Sequence, residues 1–349
     1  MSADLLTLTA YFGERDRTPD RLLADELLDV FGTHRVGAAI MLRGADGFGH
    51  GGRLRTDRLL SLSEDLPVLA IAVDEAAQIE PVLEQVLAIR RHGLVTVERT
   101  RMLRGAPGRV GLPAELGEAA KLTVYLGRGE RAGRIPAHIA VCALLHARGI
   151  DGATVLLGVD GIRAGRRERA AFFGANARVP TMVVAVGAGE RIAAVVPELG
   201  ALVAEPVMTL ERVQVCKRDG RLLARPHELP GSDEHGRALH QKLVVHSSAA
   251  ATHEGRPLHL EILHGLARAG AAGATSVRGV WGFHGEQAPH GDRVLALRRH
   301  VPVMTTTIDT PARTERSFEV IDELTREHGL VTSEMVPAID AGELATHLY

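Results

Sequence analysis

The chain has 349 residues, 45% of them hydrophobic and 24% charged, a balance that fits a globular protein of two or three domains. A formal net charge of −2 excludes any global attraction to nucleic acid or to an anionic membrane, so an anionic ligand would have to be held by a local cluster of arginines. Cys142 and Cys216 stand far apart and outside metal-binding spacing, no basic leader precedes an apolar run, and no stretch reaches the roughly 18 apolar residues of a membrane span, so a cytoplasmic protein without disulfides is expected.

Hydrophobic periodicity gives the elements in order. Leu6 to Phe12 reads as a strand, and Leu22, Leu23, Leu27, Leu28 and Phe31 form a helical stripe. Ala39 to Arg43 is a second strand. A polar, Gly-rich stretch too long for a hairpin turn leads to a third strand, Val68 to Val73. Ile79, Val82, Leu83, Val86 and Leu87 mark a second helix, and Val95 to Met102 a fourth strand. The order βαββαβ is the split-βαβ, ferredoxin-like arrangement, whose sheet carries two helices on one face and leaves the other open.

The same unit recurs twice. AAIMLRGADG (38–47), GATVLLGVDG (152–161) and GATSVRGVWG (273–282) share glycines, with Gly44, Gly158 and Gly279 as anchors. Tyr11, Tyr125 and His246 each lie 33 residues upstream (44−11, 158−125, 279−246). Pro67, Pro180 and Pro302 follow in order, and then Thr96, Thr209 and Thr332, each with a glutamate two positions on: Glu98, Glu211 and Glu334. The chain therefore divides into repeat one (1–102), a linker (103–119), repeat two (120–216), a linker (217–240), repeat three (241–340) and a tail (341–349). Three open sheet faces on one chain are best buried against one another around a pseudo-threefold axis, which makes the chain a monomer with the symmetry of a trimer.

The long loops carry the candidate ligand groups. Repeat one offers Arg43, Gly44, Gly47, Gly49, His50, Arg53, Arg55 and Arg58, and repeat three offers Arg278, Gly279, Gly282, His284 and Arg293. Guanidiniums and backbone N–H groups of this kind can converge on a phosphate, whereas the plain alternative is that arginines solubilise an exposed loop. Repeat two departs: Leu157 stands for Arg43 and Arg163 for Gly49, and Arg163, Arg166, Arg167 and Arg169 follow, so its loop is expected to make contacts instead. Gly47, Gly49 and Gly52 spell G-x-G-x-x-G, but no crossover helix follows and the other repeats lack the third glycine, so a dinucleotide site is rejected. Histidines crowd repeat three, among them His253, His259, His264, His284, His290 and His300. His259 and His264 are five apart and do not share a helix face as an i,i+4 metal pair would, and solvated histidines are expected. Asp74 and Asp309, replaced by Gly187 in repeat two, are expected to cap the helices that follow them. No catalytic constellation stands out, and no metal or resident cofactor is expected.

KLTVYLG, GATVLLGVDG, LRGADGFGHGGRLRTDRLLSLSEDLPV and LVTVE together resemble the bacterial family called domain of unknown function 190 (DUF190), relatives of the PII signalling proteins. The resemblance covers about residues 5 to 102, 120 to 216 and 241 to 338 and is weakest in the loop of repeat two. It implies an α+β fold of three tandem PII-like units fused as an intramolecular pseudo-trimer. It also implies a regulatory role, with a small anionic effector such as an adenine nucleotide in an inter-repeat cleft and a protein partner contacted by the loops. A setting beside small fluoride channels is implied by the same resemblance alone. The rival reading is a metal-binding or hydrolytic enzyme built on the histidines of repeat three.

Overall fold

The computed structural model describes residues 4–49, 52–56, 65–89, 93–104, 119–163, 166–170, 178–203, 207–228, 230–232, 238–285, 287–291 and 301–340. The chain is of the α+β class, with six helices and a large antiparallel sheet system among these residues. In the first unit the strands are Asp4–Gly13, Ala38–Arg43, Pro67–Glu75 and Leu94–Arg104. The first pairs with the third and the fourth, and the second with the third, which gives the order 4-1-3-2 of the ferredoxin-like unit. The corresponding strands of the second unit are Ala119–Gly127, Gly152–Leu157, Pro180–Ala188 and Val207–Arg218, and those of the third are Leu239–Ser248, Ala274–Arg278, Pro302–Asp309 and Leu330–Asp340. Both repeat the order.

Strand alternation sorts side chains between two cores. In the first strand Leu8, Ala10 and Phe12 point under the helices α1 (Leu23–Thr33) and α2 (Ala76–Ile89), where they meet Leu27, Phe31, Val82 and Val86. The second unit packs Leu122, Val124 and Val183 under α3 (Ala137–Ala147) and α4 (Gly189–Leu202). The third packs Leu243 and Val245 under α5 (Leu258–Arg268) and α6 (Pro311–Leu324). The opposite sheet faces contribute to one shared cluster, with Ile40, Leu42 and Ile71 from the first unit, Tyr125, Leu156 and Met182 from the second, and Val277 from the third. Each fully buried aliphatic side chain of this kind contributes about 1.5–3 kcal/mol.

Two sets of backbone pairings join the units, and each runs through all three. The fourth strands pair in succession, first to second (Arg101 to Arg104 against Leu210 to Val207), second to third (Gln214 to Arg218 against Ser333 to Leu330) and third to first (Ala338 to Asp340 against Thr96 to Leu94). Each second strand is also followed by a short arm that crosses to another unit. Asp46–Phe48 of the first lies along Ala274 to Ser276 of the third, Asp160–Arg163 of the second along Ala38 to Met41 of the first, and Trp281–His284 of the third along Gly152 to Val155 of the second.

Residues 217–222, read from sequence as the start of a tether, continue the sheet: the fourth strand of the second unit runs to Arg218 and turns back through Arg221–Leu222. Most of the first linker lies outside the described residues.

Candidate functional site

The recurring glycines follow from the arms. A Cβ on Gly44 would stand 2.6 Å from Pro67 Cγ, one on Gly47 2.6 Å from the carbonyl oxygen of Ala274, and one on Gly158 2.8 Å from the carbonyl oxygen of Pro180. On Gly161 and Gly282 it would collide with the carbonyl oxygens of Ala39 and Ala153, and on Gly279 it would stand 2.9 Å from Thr154 Cγ2. Gly47, Gly161, Gly279 and Gly282 thus let one unit's arm lie against a neighbouring unit's strand, while Gly44 and Gly158 first meet the proline that opens their own unit's third strand. Gly49, by contrast, has open space around it.

Among the described residues, two of the repeat-one loop arginines are taken up by carboxylates. Arg43 donates from Nε and Nη2 to the two carboxylate oxygens of Glu14, at 2.8 and 2.9 Å, while Arg55 Nη1 donates to Asp65 Oδ2 at 2.6 Å. Arg53 is exposed. His50, Arg58 and Arg293 lie outside the described residues. In repeat two Arg167 reaches the first unit, pairing with Asp25 (2.8 Å) and Asp29 (3.0 Å) while also holding its own Asp160 (2.9 Å). Arg169 Nη2 joins Asp25 at 2.7 Å.

At the junction of the first and third units, the buried carboxylate of Asp46 accepts from Thr56 Oγ1 at 2.5 Å and faces His259 Nε2 at 3.5 Å and Arg278 Nη2 at 3.8 Å. Burial by itself would raise this carboxyl, but the nearby His259 imidazole, the Thr56 hydroxyl and the Arg278 guanidinium bring it below its ordinary value. His259 is 1% exposed, which corrects the expectation of a solvated ring: α5 turns it onto the incoming arm. His264 is exposed, His253 and His290 are partly buried, and His300 lies outside the described residues. Among the described residues no group of three or more His, Cys, Asp or Glu side chains is arranged to hold a metal ion.

Asp74 and Asp309 are also corrected. Asp74 accepts from the backbone N–H groups of Gly37 and Glu75, and Asp309 from those of Ala272 and Thr310, all at 2.8 Å. Each carboxylate ties the end of a third strand to the turn that enters the second strand. Neither receives the N2 or N3 amide of the following helix that a cap would bind.

A cleft of about 940 Å³ opens where the arm of the third unit lies along the second. The second unit supplies His146, Asp151, Arg191, Arg218 and Asp219, and the third supplies Ser247, Ser248, His284 and His328. Arg218 ends a fourth strand and donates to Asp151 Oδ2 at 2.5 Å; Asp219, held at φ 47° before Gly220, hydrogen-bonds His284 Nε2 at 2.7 Å. Arg191, on the exposed side of α4, donates to the neutral carbonyl of Gly149 at 2.7 Å. Burial raises the Asp151 carboxyl, against the pull of Arg218 and Arg191. His284 is thus the one sequence-selected candidate that lines this cleft. Its other residues carry no local motif, because they come from stretches up to about 180 positions apart (328−146).

The profile of the DUF190 family, described as Uncharacterized ACR, matches residues 5–102, 119–215 and 240–338, and the chain belongs to that family. Among solved structures, the aspartate kinase from Synechocystis shows a likeness over 97% of this chain and 45% of its own length, at 12% identity and a TM-score of 0.24. The chain thus spans less than half of that protein, and the correspondence is too loose to bear on fold or activity. Among the described residues no helix is long and apolar enough to cross a membrane.

Proposed function

We propose that the chain is a PII-like regulatory protein in which three fused units form an intramolecular pseudo-trimer, and that a small anionic effector, an adenine nucleotide or related phosphate, binds between the second and third units. The observation that carries this reading is the 940 Å³ cleft, within the size range of small-molecule sites, into which two guanidiniums and three imidazoles project. Arg191 hydrogen-bonds a neutral carbonyl and stands near Asp151, and Arg218 can exchange Asp151 for a phosphate oxygen. Occupancy would shift the arm of the third unit through His284 and Asp219, and so signal to a protein partner. A channel partner rests on the family resemblance alone.

Calorimetric titration of the intact chain with ATP, ADP and AMP tests the reading. Arg191→Ala and Arg218→Ala should each weaken binding about tenfold or more, as for loss of one charge-assisted hydrogen bond, with Arg43→Ala and Arg53→Ala unaffected. Losses confined to Arg43 and Arg53 would move the site to the loop of repeat one. Absence of binding by any phosphorylated ligand would reject the reading. Light scattering should give the mass of one chain.

A further inference from the structure

The Thr-x-Glu landmark that recurs in every repeat brings three carboxylates, Glu98, Glu211 and Glu334, to the centre, where they line a cavity of about 80 Å³. Each faces one residue of its own unit's first strand: Glu98 is opposite Thr7, Glu211 opposite Lys121 and Glu334 opposite Lys242. Two repeats thus place a lysine in this position and one places a threonine. Three carboxylates against two ammoniums leave one negative charge in the core.

The ion pairs show where that charge is least compensated. Lys121, of the second unit, lies closest to Glu334 of the third, at 2.6 Å; Lys242, of the third, lies closest to Glu98 of the first, at 3.0 Å. By the same step, a cation belonging to the first unit would serve Glu211 of the second, and there the chain has Thr7. Glu211 keeps only a 3.5 Å contact with Lys121, and its Oε2 accepts no hydrogen bond. Thr7 Oγ1 likewise has no hydrogen-bond partner. Both residues are 7% exposed and both line the cavity; with Glu334 Oε1, also buried and unpartnered, three such oxygens face one small space, and of their residues only Glu211 and Thr7 lack a close ammonium.

We propose that the centre of the chain holds one exchangeable monovalent cation, of ammonium or potassium size, bound by Thr7 and Glu211 in place of the third lysine ammonium. A single residual charge suits a monovalent ion, and two neighbouring ammoniums oppose a divalent one. Thr9 and Thr123 line the same cavity and add hydroxyl oxygens. Burial raises the Glu211 carboxyl while Lys121 lowers it, so a proton competes for the same charge and the cation gains as pH rises.

The test is the melting temperature of the intact chain at pH 8 and constant ionic strength, in the chlorides of ammonium, potassium, sodium and choline. A small cation at about ten times its Kd should raise it by roughly 2 °C over choline, which is too bulky for the cavity. Thr7→Lys should melt in choline at least as high as the wild type does in ammonium, and the identity of the salt should no longer matter. Glu211→Gln should also lose the difference between salts, and it carries the test if the lysine variant does not fold. Equal melting of the wild type in choline and in every small cation would overturn the proposal and leave Glu211 holding a proton. So would a difference between salts that survives in Glu211→Gln, because the ion would then be bound elsewhere.

Discussion

Arg167 of the second repeat donates from Nη2 to Asp25 Oδ1 of the first at 2.8 Å, while the same guanidinium holds Asp160, which is 2% exposed. The loop that departs from the repeat pattern therefore works as a clamp between units. Arg167 is raised above its ordinary range, first by hydrogen bonding to Asp160, and Asp25 is lowered by its bond to Arg167.

Removing this guanidinium leaves the buried Asp160 carboxylate with a weaker set of partners. Arg167→Ala should cost about 1.5–3 kcal/mol of unfolding free energy by chemical denaturation, and Asp25→Ala about 1 kcal/mol because that carboxylate is partly solvated. A double-mutant cycle should show coupling between the two. Arg53→Ala, on an exposed side chain, should stay within about 0.5 kcal/mol.

The arm glycines give a second prediction. Gly161→Ala forces a methyl onto the Ala39 carbonyl of another unit, and Gly47→Ala one onto the Ala274 carbonyl. Each should lower stability by about 1–3 kcal/mol, the cost of overpacking a closed contact, whereas Gly49→Ala meets open space and should be near neutral. Equal effects at all three positions would contradict close approach as the reason these glycines recur.

The third concerns acid. Burial lowers His246 to about 3, and Glu98, held by Lys242 and Lys121 against its own desolvation, is lowered to about 2. The unfolded chain takes up the histidine proton near its ordinary 6.5 and the glutamate proton near 4.5, while the folded chain resists both. Stability from His246 is therefore present above about pH 6.5 and is lost as pH falls towards 3, with the Glu98 contribution lost between about 4.5 and 2. Glu211 has the opposite sign: its raised carboxyl favours the folded state below the ordinary 4.5, and that contribution is lost as pH rises through its folded value. His246→Tyr installs the residue of the other two repeats and should flatten the loss between pH 6.5 and 5, by at most about 2 kcal/mol for one proton. Urea denaturation across that range measures it, and an unchanged slope would contradict a His246 kept neutral by the fold.

Much of the architecture was written in the chain. Apolar alternation in LTLTAYF and the Leu23, Leu27, Leu28, Phe31 stripe specify a strand and a helix by local periodicity, and three copies of the same landmarks specify three units. The sequence also marked Gly44, Gly47, Glu98, Glu211 and Glu334 as recurring, because equivalent places in a repeated fold retain equivalent residues. It could not say what they touch. Lys242 meets Glu98 across 144 positions and Arg167 meets Asp29 across 138, contacts that exist only once the units are packed together. Arg43 and Arg55, two of the repeat-one arginines read as phosphate ligands, are paired with Glu14 and Asp65, because a loop's neighbours are set by the adjoining sheet and helices and not by its composition. The cleft around Arg191, Arg218 and His284, and the core where Thr7 stands for a lysine, were decided by tertiary structure alone: each is assembled from strand ends and helix faces of different repeats, and no local pattern encodes which surfaces will meet.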